Sequence, residues 1–288
     1  MAPKIQWPLV LFSMLAGCGG CAFAFAGVAN LLGESVEVTL FATVVSFVFC
    51  VVGGLFSVKH LATPKHALWA IQHLLSFSGI SVELIMLGLT CALQVVYIAL
   101  CCWTDAPLVR AVVGVAGVVC GLGLAFATGH GYLISSKPTW NTKKLPVSYL
   151  TTSMVSGGFL YLACAVPAGA DATVQLPLEL IEVACVVLSV VSVMAYMRHI
   201  GPERAHYDEK LYTYGIVVCG MVVPAACCLL MPLAGNAVAV LGFVLMTGGL
   251  AASIAGGIAL RSIMWIVGAG FLNFFEEART RRSVLMNY

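Results

Sequence analysis

Charge is scarce in this sequence. Aspartate, glutamate, lysine and arginine supply 9% of its 288 residues, against 61% apolar residues and a mean hydropathy of +1.03. Ordinary soluble domains carry about a quarter charged residues, so this chain is no water-soluble globule. Long polar stretches are missing too, which leaves no room for a separate aqueous domain. The chain also lacks a Gly-rich phosphate loop, a nucleophile constellation and any nucleic-acid motif.

What it has is apolar runs. A bilayer core of about 30 Å needs roughly 20 mostly apolar residues per helix, and eight such runs occur. They lie near 7–32, 38–58, 80–103, 109–134, 147–168, 177–197, 212–233 and 236–260, the last extending toward 274. The expected fold is all-α, a polytopic membrane protein with eight transmembrane helices. Lys4 followed by an apolar run and Ala24-Phe25-Ala26 has the outline of a secretory signal. We expect this span to be retained, because it has an internal counterpart described below.

An even number of spans puts both termini on one side, here named the basic face. It carries Lys4, Lys59, Lys65, Lys137, Lys143, Lys144, Arg198, Arg204, Lys210, Arg279, Arg281 and Arg282. The opposite face has Glu34, Glu37, Asp105 and Asp171, with Arg110 as its one nearby cation. The positive-inside rule makes the basic face, and the termini, cytoplasmic in the cell membrane. Topogenic charge accounts for this; a docking role for the same face is the functional alternative.

Twelve cysteines suggest redox or metal chemistry, yet each lies within or at the edge of an apolar run. Buried thiols are usually packing residues. Cys18-Gly19-Gly20-Cys21 offers one ligand pair without the second that a structural zinc site needs. No iron-sulfur cluster and no metal are expected in this chain. Gly17, Gly19, Gly20, Gly157, Gly158, Gly256 and Gly257 read as close helix contacts.

Short motifs recur. Lys59-His60-Leu61-Ala62-Thr63-Pro64 returns as Arg198-His199-Ile200-Gly201-Pro202 at an offset of 139, and Gly129-His130-Gly131-Tyr132-Leu133 as Gly268-Ala269-Gly270-Phe271-Leu272. Pro8 with Gly19-Gly20 matches Pro146 with Gly157-Gly158 at 138. We therefore expect two parallel four-helix repeats, residues 1–144 and 145–288, with chemistry where the copies disagree.

An ionisable residue inside a span costs on the order of 2.5–3.5 kcal/mol at the helix centre, so it suggests function. Glu83, one turn into the third span, has Val222 as its copy; Arg261 in the eighth has Leu122. Glu179 and Glu182 enter the sixth span from the opposite face and read as solvated acids at a helix start. The nearest partner for Glu83 is His60, at the basic-face end of the second span. Between them, His66, Trp69, His73 and Ser76 lie on a segment compatible with a surface helix. An apolar site with a histidine and a carboxylate suits a quinol, which needs two hydrogen-bonding ends and acceptors for its protons. The structural alternative for His60, and the expected role of His199, is to cap a helix C-terminus. His60 with His130 is the credible axial pair for a haem, and no haem is expected. Arg261 is expected to snorkel, with pairing to Glu83 or a quinone oxygen as alternatives. Trp7, Trp69, Trp140 and Trp265 are expected at interfaces.

The chain resembles the membrane-anchor subunits of dimethyl sulfoxide reductase and related molybdopterin oxidoreductases. The resemblance rests on Gln6-Trp7-Pro8-Leu9, the His60-Leu61-x-x-Pro64 turn with Ala67, Ser78 and Glu83, Pro138-Thr139-Trp140, Gly157-Gly158 and Arg261. It implies an eight-helix, haem-free anchor that oxidises quinol of the menaquinol type. It implies as partners a four-cluster ferredoxin-like iron-sulfur subunit and a molybdopterin catalytic subunit. It also implies His60 and Glu83 as the quinol site, with Arg261 and Lys59 assisting. The rival reading is a secondary transporter with duplicated four-helix halves; against it, the polar outliers crowd one face rather than the midplane.

Overall fold

A backbone in hydrocarbon finds no water, so each apolar run winds into a helix that satisfies its own N–H and C=O groups. The computed structural model describes residues 5–60, 78–201, 207–234 and 239–286, without the side chains of 59–60, 232–234, 239 and 269–286. The helices are α1 (Trp7–Leu31), α2 (Val36–His60), α3 (Gly79–Trp103), α4 (Pro107–His130), α5 (Lys144–Ala165), α6 (Ala172–His199), α7 (Leu211–Val222, continuing as Val223–Ala234) and α8 (Ala239–Met286). All eight are long and apolar enough to cross a membrane, and the described residues include no strand.

Local chemistry sets the helix starts. Pro8 and Pro107 occupy first turns, where a missing N–H costs nothing. Ser78 caps α3 by accepting from the Ser81 N–H at 3.3 Å, and Asp171 caps α6 through Thr173. That cap starts α6 about five residues before the sequence-expected 177, because Pro177 lies inside the helix and removes one bond rather than ending it. Gly33 (φ 93°) and Gly169 (φ 79°) supply the left-handed residues that turn the chain after α1 and α5. The first half of α7, Leu211–Val222, is wound as a π-helix, and α8 runs past the expected 274 to Met286.

Helices α1 and α5 fill the centre. The first packs against α2, α4 and α5; the second also meets α6 and α8. Between membrane helices association rests on close packing and hydrogen bonds rather than on the hydrophobic effect. Gly20 and Gly27 of α1 meet Gly121 and Gly114 of α4, Gly157 lies on Cys21 and Ala22, and Gly256 meets Gly220. Ser46 donates to the Gly19 carbonyl at 2.6 Å and accepts from Gln94 at 2.6 Å, joining α2 to α1 and α3. Outward-facing Phe41, Leu108, Val119 and Leu229 leave the apolar coat that lipid requires.

Candidate functional site

The site is read from the basic-face ends of α2, α3, α4 and α5. His60 is the last residue of α2. Its side chain, that of Lys59, and the segment holding His66, Trp69, His73 and Ser76 lie outside the described residues. Glu83 is the fifth residue of α3 and is half-buried. Glycines make its position possible: a Cβ on Gly79 would come within 2.9 Å of the Gly131 Cα, so the start of α3 crosses the end of α4 almost backbone to backbone. A Cβ on Gly131 would stand 3.9 Å from the Glu83 Oε2, which puts the carboxyl beside the end of α4. The copy-related Val222 faces outward, 55% exposed.

Next to that carboxyl the chain builds an aromatic wall. Tyr132 follows Gly131, and its ring centroid lies 6.0 Å from Tyr149, 5.5 Å from Trp140 and 5.9 Å from Trp265. Trp140 and Trp265 meet edge to face at 5.0 Å. Burial pushes the Tyr132 phenol well above its ordinary range; negative charge at Tyr149 and Glu83 adds to this, and Arg261 offsets part of it. Tyr132 therefore stands in the field of Glu83, Tyr149 and Arg261. Rings of this kind form walls for a flat apolar molecule, and Glu83 supplies a polar end group.

Trp140 is 2% exposed and donates Nε1–H to the Met264 carbonyl at 2.8 Å, with the Lys137 ammonium 3.6 Å above its ring, and so clasps α8. One arginine expectation needs correction. Arg261 does not snorkel. It is fully buried, and its Nε donates to the Ser13 hydroxyl at 3.0 Å. Its Nη1 reaches the Gly257 carbonyl at 3.0 Å and the Thr152 hydroxyl at 3.4 Å. Its Nη2 reaches Ser153 at 3.2 Å and the Ser13 carbonyl at 3.5 Å, and Tyr149 offers its ring face at 4.3 Å. All five N–H directions are taken by neutral groups of α1, α5 and α8, and Glu83 is not among them.

The histidines separate as well. His199 meets the Pro138 carbonyl at 3.3 Å across the loop before α5, so it ties that loop rather than capping its own helix. His130 is exposed at the end of α4, 6.0 Å from the Phe126 ring. Glu182 departs furthest from expectation: it lies about 15 Å along α6, on the side that faces the bundle, and is fully buried. Tyr132 and Tyr149 were missed in the sequence, although a signal existed in the repeat. Tyr132 replaces Phe271, and Tyr149 stands where the first copy has Leu11.

Eight membrane-crossing helices, two of them central, with an acid and an aromatic wall at one face, define a polytopic membrane-embedded subunit. The chain belongs to the family of the DMSO reductase anchor subunit (DmsC), whose model matches residues 1–247. It is a multi-pass membrane protein of the kind that anchors a DMSO reductase complex, which implies catalytic and iron-sulfur subunits. Curated proteins show no match to the sequence. The family match ends inside α8, before Arg261.

Proposed function

We propose that this anchor oxidises quinol, of the menaquinol type, at its basic face and hands the electrons to a docked ferredoxin-like iron-sulfur subunit, which feeds a molybdopterin subunit. The observation that carries the reading is the Glu83 carboxyl set by Gly79 and Gly131 against the end of α4, beside the Tyr132–Tyr149 wall. Quinol is the substrate. Its oxidation to quinone releases two electrons and two protons, and in this reading the electrons leave the chain without passing through a haem or cluster of its own. Glu83 accepts or relays a proton at its carboxylate. His60, at the end of α2, hydrogen-bonds one quinol oxygen and takes the other proton. Lys59 serves docking or binding. Arg261 acts by position, since its N–H groups already hold α1, α5 and α8 together beneath Tyr149. The same reading takes 1–144 as the four-helix repeat that carries His60 and Glu83, and 145–288 as the second repeat, which lends Tyr149 and Trp265 to the wall.

The test uses the assembled complex in membranes. His60→Ala and Glu83→Gln are each expected to lower quinol oxidation by about 10²-fold or more while assembly and artificial-donor activity of the catalytic subunit persist. Undiminished quinol turnover in both variants would sink the site.

A further inference from the structure

A second acid lies where the quinol reading has no use for it. Glu182 is the eleventh of the 28 residues of α6, about 15 Å from the helix start. Its side chain is fully buried, and neither carboxyl oxygen has a hydrogen-bond partner among the described residues. Room for it comes from glycine: a Cβ on Gly158 of α5 would overlap the Glu182 Oε2 and lie 2.8 Å from the Phe25 ring. The titratable neighbours that feel its charge are Cys18 and Cys21 of α1, Cys185 on its own helix and Cys228 of α7. A leucine or methionine would fill this volume without burying a polar group, and such burial is costly.

Polar groups continue from it toward the opposite face, whereas toward the basic face the next hydroxyl on α6 is about 10 Å away. Toward the opposite face, Glu179 is one turn away, half-buried, and accepts from Gln175 at 2.8 Å. Asp171, Gln175, Glu179 and Glu182 follow one another at helical spacing along one side of α6, from an exposed end to a buried one. Toward the basic face, Ser189 is two turns further on. It lines, with Thr152 and Ser253, a cavity with room for about one water molecule. Thr152 is the hydroxyl that Arg261 reaches.

We propose that Glu182 is a proton-carrying station buried inside the helix bundle, filled from the opposite face through Glu179. In each step an O–H bond breaks on the donor and forms on the acceptor, and no electron moves. The station does not depend on quinol oxidation at Glu83.

The test is infrared spectroscopy of the full chain in lipid vesicles, following the carbonyl stretch of protonated carboxylic acid after transfer to D₂O. Glu182→Gln is expected to remove one band; in the wild type that band shifts within minutes; Glu179→Gln slows the shift by about a hundredfold or more. Glu182→Asp, which keeps the acid, moves the band and secures its assignment if the glutamine variant fails to assemble. The proposal is overturned if no band is tied to residue 182, if the band stays unshifted for hours, or if Glu179→Gln leaves its exchange unchanged. Quinol turnover plays no part in these readings, so the two proposals fail separately.

Discussion

Alanine at Gly121 is the sharpest probe of how the bundle is held. A Cβ there would overlap the Gly20 carbonyl oxygen of α1 and stand 2.8 Å from the carbonyl carbon, where carbon atoms normally rest at 3.5–4.0 Å. The obstacle is backbone, so no rotamer change relieves it and α1 and α4 must part by roughly 1 Å. Overpacking of this kind costs about 1–3 kcal/mol, and a gap of that size forfeits a quarter to a half of the dispersion energy of each contact along the seam. Helix propensity returns up to about 1 kcal/mol. Gly88→Ala is the matched control, because a Cβ there meets nothing within 4 Å and keeps only the propensity gain. The propensity gain is common to both, so the two variants should differ by roughly 1–3 kcal/mol. At about 2–4 °C per kcal/mol for a chain of this size class, thermal unfolding in detergent should separate them by several degrees, with Gly121→Ala the lower. Equal midpoints would refute the claim that glycine contact sets the α1–α4 spacing.

Arg261→Lys keeps the charge but offers three donors in place of five and gives up the planar stack on Tyr149. It should cost roughly 2 kcal/mol, from about 0.6 per lost interhelical bond and about 1 for the ring contact; wild-type thermal stability in this variant would show that the seat needs only a positive charge. Tyr132 has a folded-state value raised by burial, so its contribution to stability is complete below about pH 10, the ordinary phenol value, and is lost as pH rises through the higher folded value. Tyr132→Phe should flatten the alkaline end of the stability–pH curve, and an unchanged slope would assign that loss to another group.

Much of the fold was legible from pattern alone. Twenty-odd apolar residues in a row admit few structures other than a membrane helix, and all eight expected runs became one. Helix ends were less legible, because Pro177 looks like a start until Asp171 is seen to cap the helix before it. Glu83 stood out in the sequence as an acid in an apolar run that the repeat did not require. Its surroundings did not, since Tyr132, Tyr149 and Trp140 come from three segments that meet only in space. Arg261 and Glu182 were misjudged for one shared reason. Distance from a helix end predicts depth in the membrane, but it says nothing about which side of the helix looks inward.

The sequence by itself determined the medium, the class of fold, the family and the acid at position 83, because hydropathy and order of motifs are properties of the line of residues. Tertiary structure alone decided what each buried polar group meets. Glycine on one helix sets the room available on its neighbour: Gly79 for the start of the helix that carries Glu83, Gly158 for Glu182 and Gly121 for the whole α1–α4 seam. Such room depends on how two helices cross, and a crossing distance is not written in either helix.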